Sequence, residues 1–215
     1  MKLLAVSVGR PQMLDWHGRR VRTSIFKTPV AGRVRVGRLN LAGDEQSDLS
    51  VHGGPDKAVY AYPGEHYAAW RSELAGTELN FGMFGENLTT EGLLEHEVSI
   101  GDRFRIGTAE FVVTQPRMPC YKLGVRFDDP GMVKRFHHSG RNGFYFAVTR
   151  EGELGAGDAI ERLARDPDGL TVADVVRLYV EDDDKQPLLE RASRHPTLPA
   201  SWREYFEKRL WGADG

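Results

Sequence analysis

The sequence predicts a mainly β body with short helices, followed by a small all-helical appendage. Three observations predict this. Short apolar or alternating runs recur between glycine-rich turns through residue 165. These runs do not alternate with long helical patterns, which argues against a doubly wound parallel sheet and for a barrel or sandwich. After Asp166-Pro167-Asp168-Gly169 the apolar spacing changes to three and four residues. The 215 residues suit one domain plus an appendage, at roughly 100–200 residues per domain. The expected division is residues 1–165 and residues 168–212.

Residues 3–8 read as a first strand, ended by Arg10 and Pro11. Arg33-Val34-Arg35-Val36 alternates polar and apolar, as a half-buried strand does. Residues 58–62 are a short apolar run, consistent with a buried strand. Pro63 suits the first turn of a helix, where its missing N–H costs nothing. That helix, over residues 64–74, places Tyr67, Trp70 and Leu74 on one face. Residues 102–113 alternate on both sides of a glycine-containing turn and predict a hairpin. Asp129 followed by Pro130 predicts an N-cap and a helix through Phe136. Residues 143–149 form an aromatic strand, and turns at residues 151–153 and 155–158 precede a run over 159–163. In the appendage, Thr171 and Asp174 have capping-box spacing before Val172, Val175, Val176 and Tyr179. The acid run 181–184 ends that helix. A second helix spans residues 186–192, and Ser201 with Glu204 caps a third, whose stripe is Trp202, Tyr205, Phe206, Arg209 and Leu210. Three helices in about 45 residues are marginal alone, so they should pack on the β body.

Apolar residues make up 40% and charged residues 28%. No apolar stretch approaches the ~20 residues of a membrane span. The N-terminal run is too short for a signal peptide and has no small-residue cleavage site. The single cysteine, Cys120, excludes an internal disulfide, an Fe–S cluster or a multi-thiolate zinc site. The expected compartment is a reducing cytoplasm. The net charge of −2 conceals a gradient: residues 1–40 carry +8, residues 41–150 carry −4 and residues 151–215 carry −6. A basic segment suits an anionic ligand or a solvated strand face. The slightly acidic whole disfavours binding to a nucleic-acid polymer.

Four segments can carry chemistry. Cys120 lies between Arg117 and Lys122, where a loop runs into a helix; neighbouring cations and a helix start favour the thiolate, which attacks electrophiles and binds soft metals. The opposing reading is a small buried hydrophobe. His52-Gly53-Gly54 ends a polar segment before an apolar strand, and its glycines permit close backbone approach to a ligand. In Phe84-Gly85-Glu86-Asn87, Asn87 can bond a heterocycle edge or hold its own turn, and Glu86 is an acid or a solvated side chain. In Ser24-Ile25-Phe26-Lys27-Thr28-Pro29-Val30, Lys27 and Thr28 can bind phosphate, or Lys27 can be a strand-edge lysine. No GxSxG, P-loop, HExxH or strand-to-helix GxGxxG is present. His137-His138 sits at a helix end, where a cation is favoured in any case.

In order and spacing, these segments resemble the MOSC domain proteins, in their stand-alone YiiM-like branch. The markers are Ile25-Phe26-Lys27-Thr28-Pro29-Val30, Gly43-Asp44-x-Gln46-x-Asp48, His52-Gly53-Gly54-x-Asp56-Lys57-Ala58-Val59-Tyr60-x-Tyr62, Phe84-Gly85-Glu86-Asn87-Leu88-Thr89 and Arg117-x-Pro119-Cys120-x-Lys122-Leu123. The helical tail through Ser201-Trp202-Arg203-x-x-Phe206-x-x-Arg209-Leu210 is similar to that branch's three-helix appendage. The resemblance implies a β-barrel-like body and a molybdenum cofactor (molybdenum–molybdopterin), with no need for pyridoxal phosphate. It implies that Cys120 ligates molybdenum, and that the activity is reduction of N-hydroxylated compounds, such as N-hydroxylated purine bases, by removal of oxygen from N–OH.

The cofactor's phosphate calls for cations and backbone N–H groups. Lys27, Thr28, Arg117 and Lys122 are the candidates, with Gly53, Gly54 and Asn87 against the pterin edges and His52 hydrogen-bonding beside the metal. Cys120 and His52 are the catalytic candidates. Electrons would come from a separate reductase protein. Two alternatives remain: a metal-free persulfide carrier using Cys120 with His52, and a cofactor-carrying module without turnover. The aromatic stripe on the last helix leaves room for a homodimer as well as a monomer.

Overall fold

The computed structural model of the chain describes residues 1–47, 53–180 and 186–212. Its twelve strands are β1 (Lys2–Val8), β2 (Gln12–Trp16), β3 (Arg19–Thr23), β4 (Thr28–Pro29), β5 (Arg33–Val36), β6 (Val59–Pro63), β7 (Leu88–Glu91), β8 (Arg103–Ile106), β9 (Ala109–Pro116), β10 (Phe144–Arg150), β11 (Gly152–Gly155) and β12 (Ile160–Ala164). Helices α1 (His66–Glu73), α2 (Tyr121–Phe127) and α3 (Met132–His138) lie within the β body, and α4 (Val172–Val180), α5 (Gln186–Arg194) and α6 (Ala200–Trp211) follow it.

Eight strands form one sheet in the order β12-β8-β9-β10-β6-β7-β1-β4, while β5 with β11 and β2 with β3 form separate ribbons. Within the sheet β6 and β7 run parallel and the other pairs antiparallel. The mainly β expectation holds, but the sheet is not a closed barrel. A lone bridge between Lys2 and Ala159 seams β1 to the start of β12, and the far edge is the two-residue β4. β4 ends on Pro29, which has no N–H with which to extend a ladder.

The apolar run in β6 is explained by burial on both faces. Val59 and Ala61 enter one core with Phe104, Phe111 and Phe146. Tyr60 and Tyr62 enter a second with Trp70, Phe84, Leu123 and Phe136. In that aromatic cluster Trp70 stacks on Phe136 at 5.9 Å and Tyr62 on Phe84 at 4.8 Å. The indole N–H of Trp70 donates to the Tyr62 hydroxyl at 2.7 Å. α1 presents Tyr67 and Trp70 to this cluster, as its spacing predicts.

Several boundaries differ from expectation. Pro63 is the last residue of β6, paired with Thr90, and α1 begins at His66; the ladder to β7 keeps Pro63 extended. Asp129 accepts from the Gly131 N–H at 2.8 Å, and this local turn delays α3 to Met132. The β2–β3 hairpin and β7 were not foreseen. Residues 152–155, expected in turns, form β11 against β5. α6 starts at Ala200 without a side-chain cap, so Ser201 lies inside it. The Thr171–Asp174 box is present and reciprocal: Asp174 N–H donates to Thr171 Oγ1 at 3.0 Å, and Thr171 N–H donates to Asp174 Oδ2 at 3.2 Å. The acid run 181–184 lies outside the described residues. The three last helices share a core with the sheet through Leu178, Leu189, Ala192 and Phe206. No helix among the described residues is long and apolar enough to cross a membrane.

Candidate functional site

Strand β9 ends at Pro116, and after four intervening residues the chain enters α2 at Tyr121. Cys120 stands directly before that helix, extended (φ −124°) and half-buried. Its wall of a cavity of about 100 Å³ continues through segments far apart in sequence: residues 23–25, Lys27, residues 44–47, Gly53, Lys57, Tyr60, Phe84, Gly85, Asn87 and Tyr145. The core of aromatic rings lies behind Tyr60 and Phe84.

The wall's charges fall into two groups. Lys27 is buried and ion-paired with buried Asp44. Asp44 also accepts from the Gly9 N–H at 2.8 Å and from Asn87 Nδ2 at 3.0 Å. Asn87 in turn accepts from the Tyr60 N–H at 3.1 Å and donates to the Ser7 carbonyl at 3.2 Å. Burial lowers the Lys27 pKa, against the pull of Asp44. This group therefore satisfies itself and stitches β1, β6 and residue 44 together.

The second group is not closed. Arg117 is 5% exposed, with its guanidinium over Tyr60 at 5.5 Å and Phe136 at 5.0 Å. Its Nη1 is buried without a hydrogen-bond partner among the described residues, as is Ser24 Oγ on the same wall. Burial works against the Arg117 charge, yet Tyr60, Tyr145 and Cys120 beside it hold its pKa above the usual value. Lys122 donates to Ser47 Oγ at 3.1 Å. Half-buried Lys57 has its pKa lowered by burial, which outweighs nearby Asp56. Among the described lining residues, the four cations Lys27, Lys57, Arg117 and Lys122 face the two carboxylates Asp44 and Glu45. A buried cation excess favours an anion.

The structure thus brings Cys120, Lys27, Gly53, Asn87, Arg117 and Lys122 to one cavity. Thr28 is not brought there: it is exposed and pairs with Val8 in β4. Gly54 (φ +83°) precedes the 3-10 turn at Pro55–Lys57 and is not on the wall. His52 lies outside the described residues. Glu86 is neither a cavity acid nor solvated. It is fully buried and accepts from the N–H groups of Gly82 (2.7 Å) and Phe84 (3.1 Å), Thr89 Oγ1 (3.0 Å) and the Tyr67 hydroxyl. Burial pushes its pKa up despite those donors. Ser24, Asp44, Lys57, Tyr60 and Tyr145 were not singled out from sequence as wall residues. Ser24, Asp44, Lys57 and Tyr60 lay within the candidate segments and motifs, but Tyr145 carried no local signal.

Residues 48–161 match the MOSC domain family, and residues 170–212 match the YiiM-like 3-alpha helix domain. The chain is 41% identical over 207 residues to the protein YflK of Bacillus subtilis (strain 168), covering 96% of this chain and 93% of that protein. The crystal structure of YiiM from Geobacillus stearothermophilus matches with a TM-score of 0.81 and 37% identity, over 97% of this chain and 98% of that one. A protein of Gibberella moniliformis (strain M3125 / FGSC 7600) named as a reductase is 34% identical over 179 residues, which is 82% of this chain and 32% of that protein.

Proposed function

Since the chain belongs to the MOSC domain family and carries its YiiM-like three-helix domain, we propose that it is a molybdenum-cofactor-dependent reductase of N-hydroxylated compounds. The observation that carries this reading is the Arg117 guanidinium, buried with one nitrogen unpartnered, on the same wall as the Cys120 sulfur. The cofactor is anionic at its phosphate, soft at its metal and planar at its pterin, and the donor set suits each part. Cys120 would supply the thiolate to the metal. Arg117, Lys122 and the Ser24 hydroxyl would hold the anionic end, since charge-assisted bonds from a guanidinium fork are strong and directional. Lys27 belongs to the wall instead, because Asp44 already answers its charge.

When bound, the cofactor supplies the two-electron chemistry by which N–OH, two electrons and two protons become N–H and water. The chain's own residues bind and orient. Tyr60 and Tyr145, 5.4 Å apart, exclude water from one side of the cavity. Lys57, its pKa lowered by burial, sits on the same wall. The electrons come from a separate donor protein. The fungal relative supports this: its match to this chain is 32% of a longer protein named as a reductase.

Elemental analysis after expression in a host that makes the cofactor tests the reading. Molybdenum should co-purify with the wild type and be lost in Cys120→Ser. The loaded protein should reduce an N-hydroxylated purine with an artificial electron donor. Protein without metal but with sulfane sulfur would instead establish a persulfide carrier. Protein loaded with molybdenum yet inert toward every N-hydroxylated substrate would establish a carrying module.

A further inference from the structure

The β2–β3 ribbon stands apart from the main sheet. Its turn residues His17 and Gly18 both have positive φ (49° and 74°), the geometry that matches the natural twist of a two-residue hairpin. Strand alternation divides its faces. Val21 and Thr23 are buried, with Leu14 and Trp16 on their side. Trp16 Nε1 donates to Asp128 Oδ1 at 3.2 Å, just past α2, which fixes the ribbon beside the helix that follows Cys120. The other face carries Arg20 and Arg22, opposite Asp15 and Met13, while Arg19, paired with Trp16, lies at the turn on the Val21 side. The four residues of the outward face are exposed, Met13 at 51%.

The charge on this face is unanswered. Elsewhere on the surface Arg33, Arg105 and Arg150 pair with Asp158, Glu161 and Glu110 at 3.2, 3.4 and 3.6 Å. Among the described residues no carboxylate pairs with Arg20 or Arg22, although Asp15 is the register partner of Arg20. Arg22 donates instead to the Ser47 carbonyl, at 3.0 Å, and Ser47 lines the Cys120 cavity, as do Thr23 and Ser24 at the end of β3. At about 3.3 Å per strand residue, the ribbon reaches about 17 Å from Thr23 to its tip.

We propose that the outward face of this ribbon is the docking surface for the electron donor, a small acidic redox protein. The proposal rests on the reductase reading above. The donor must approach the cavity at every turnover, so its landing surface borders the rim. A small, cationic, mostly polar face suits a brief encounter, whose interface is typically under about 1,200 Å². Opposite charge then raises the encounter rate, by about 10- to 1,000-fold in steered systems, and makes it depend on salt.

The test uses the full chain, its R20E/R22E variant and a rescue variant with lysine at both positions, with flavodoxin as the acidic probe. For reduced flavodoxin, kcat/KM should fall at least tenfold in the glutamate variant and lose its salt dependence. The lysine variant should stay near wild type. Turnover with reduced methyl viologen and molybdenum content should be unchanged in all three, which also shows that each is folded. Direct titration with oxidised flavodoxin at low salt should show the same loss of binding. Wild type that binds flavodoxin no better than the glutamate variant does overturns the docking surface. So does equal or tighter binding of anionic lipid vesicles or polyuridylate, which would make this a general polyanion patch. Flavodoxin binding that the variant loses, without turnover by either donor, overturns the reductase reading and leaves the surface standing.

Discussion

Replacing Arg117 with methionine separates a cation kept for a ligand from one kept for the fold. The guanidinium is buried with Nη1 unpartnered among the described residues. An orphaned buried donor costs about 1–3 kcal/mol. The contacts over Tyr60 at 5.5 Å and Phe136 at 5.0 Å offset this by about 0.5–1 kcal/mol each. Methionine keeps the apolar stem against those rings and removes both effects. The cofactor-free variant should therefore lie between about 1 kcal/mol less and about 2 kcal/mol more stable than the wild type, so that for a chain of this size it loses no more than about 4 °C in Tm. Cofactor retention should move the other way. Losing charge-assisted bonds worth about 1.5–3 kcal/mol weakens anion binding by about 10- to 150-fold. The assays are calorimetry on cofactor-free protein and the molybdenum-to-protein ratio after dialysis. A cofactor-free variant that melts more than about 6 °C below wild type, with undiminished molybdenum, would show that Arg117 serves the core and would refute the argument.

Asp44→Asn leaves Lys27 as a buried cation without a counter-charge, so urea denaturation should show a loss of about 3–5 kcal/mol, largely recovered in Lys27→Met/Asp44→Asn. A loss under about 1 kcal/mol would mean that the pair does not hold this wall. Glu86→Gln tests a pH dependence of stated sign. Burial raises the Glu86 pKa in the folded chain above its ordinary 4.5, so the folded state binds the proton more tightly than the unfolded state. Its penalty is largest above the folded pKa and fades as pH falls through that value toward 4.5. The stability of wild type relative to Glu86→Gln should therefore rise as pH is lowered from 8 to 4.5, measured by denaturation of both proteins in parallel. A flat difference would contradict it.

Legibility varied with the range of the forces involved. The β8–β9 hairpin, β10 and the Thr171–Asp174 box were readable because period and capping act over a few residues. The β2–β3 ribbon was missed although Leu14, Trp16, Val21 and Thr23 alternate around His17-Gly18, because four arginines from Arg10 to Arg22 mask the pattern. β11 was missed because Gly152 and Gly155 read as turn residues, and only the partner β5, more than a hundred residues earlier, makes them strand. The Pro63 boundary moved for the same reason, since a parallel ladder to Thr90 overrode a local helix preference. In the site, Cys120 beside Arg117 and Lys122 was visible as a spacing. That Asn87 bonds Asp44, 43 residues away, was not.

The order of residue types along the chain determined the mainly β plan, the helical tail, the family motifs and the one cysteine with cations on either side. Tertiary structure decided which cations are spoken for. Lys27 and Arg117 look alike in a sequence, two basic residues near motif positions. Folding removes both from water, and what each then meets depends on segments brought from elsewhere: Asp44 for Lys27, aromatic faces and an unoccupied bonding direction for Arg117. A buried charge is governed by its immediate partners, because little solvent is left to screen it, and those partners are set by the fold.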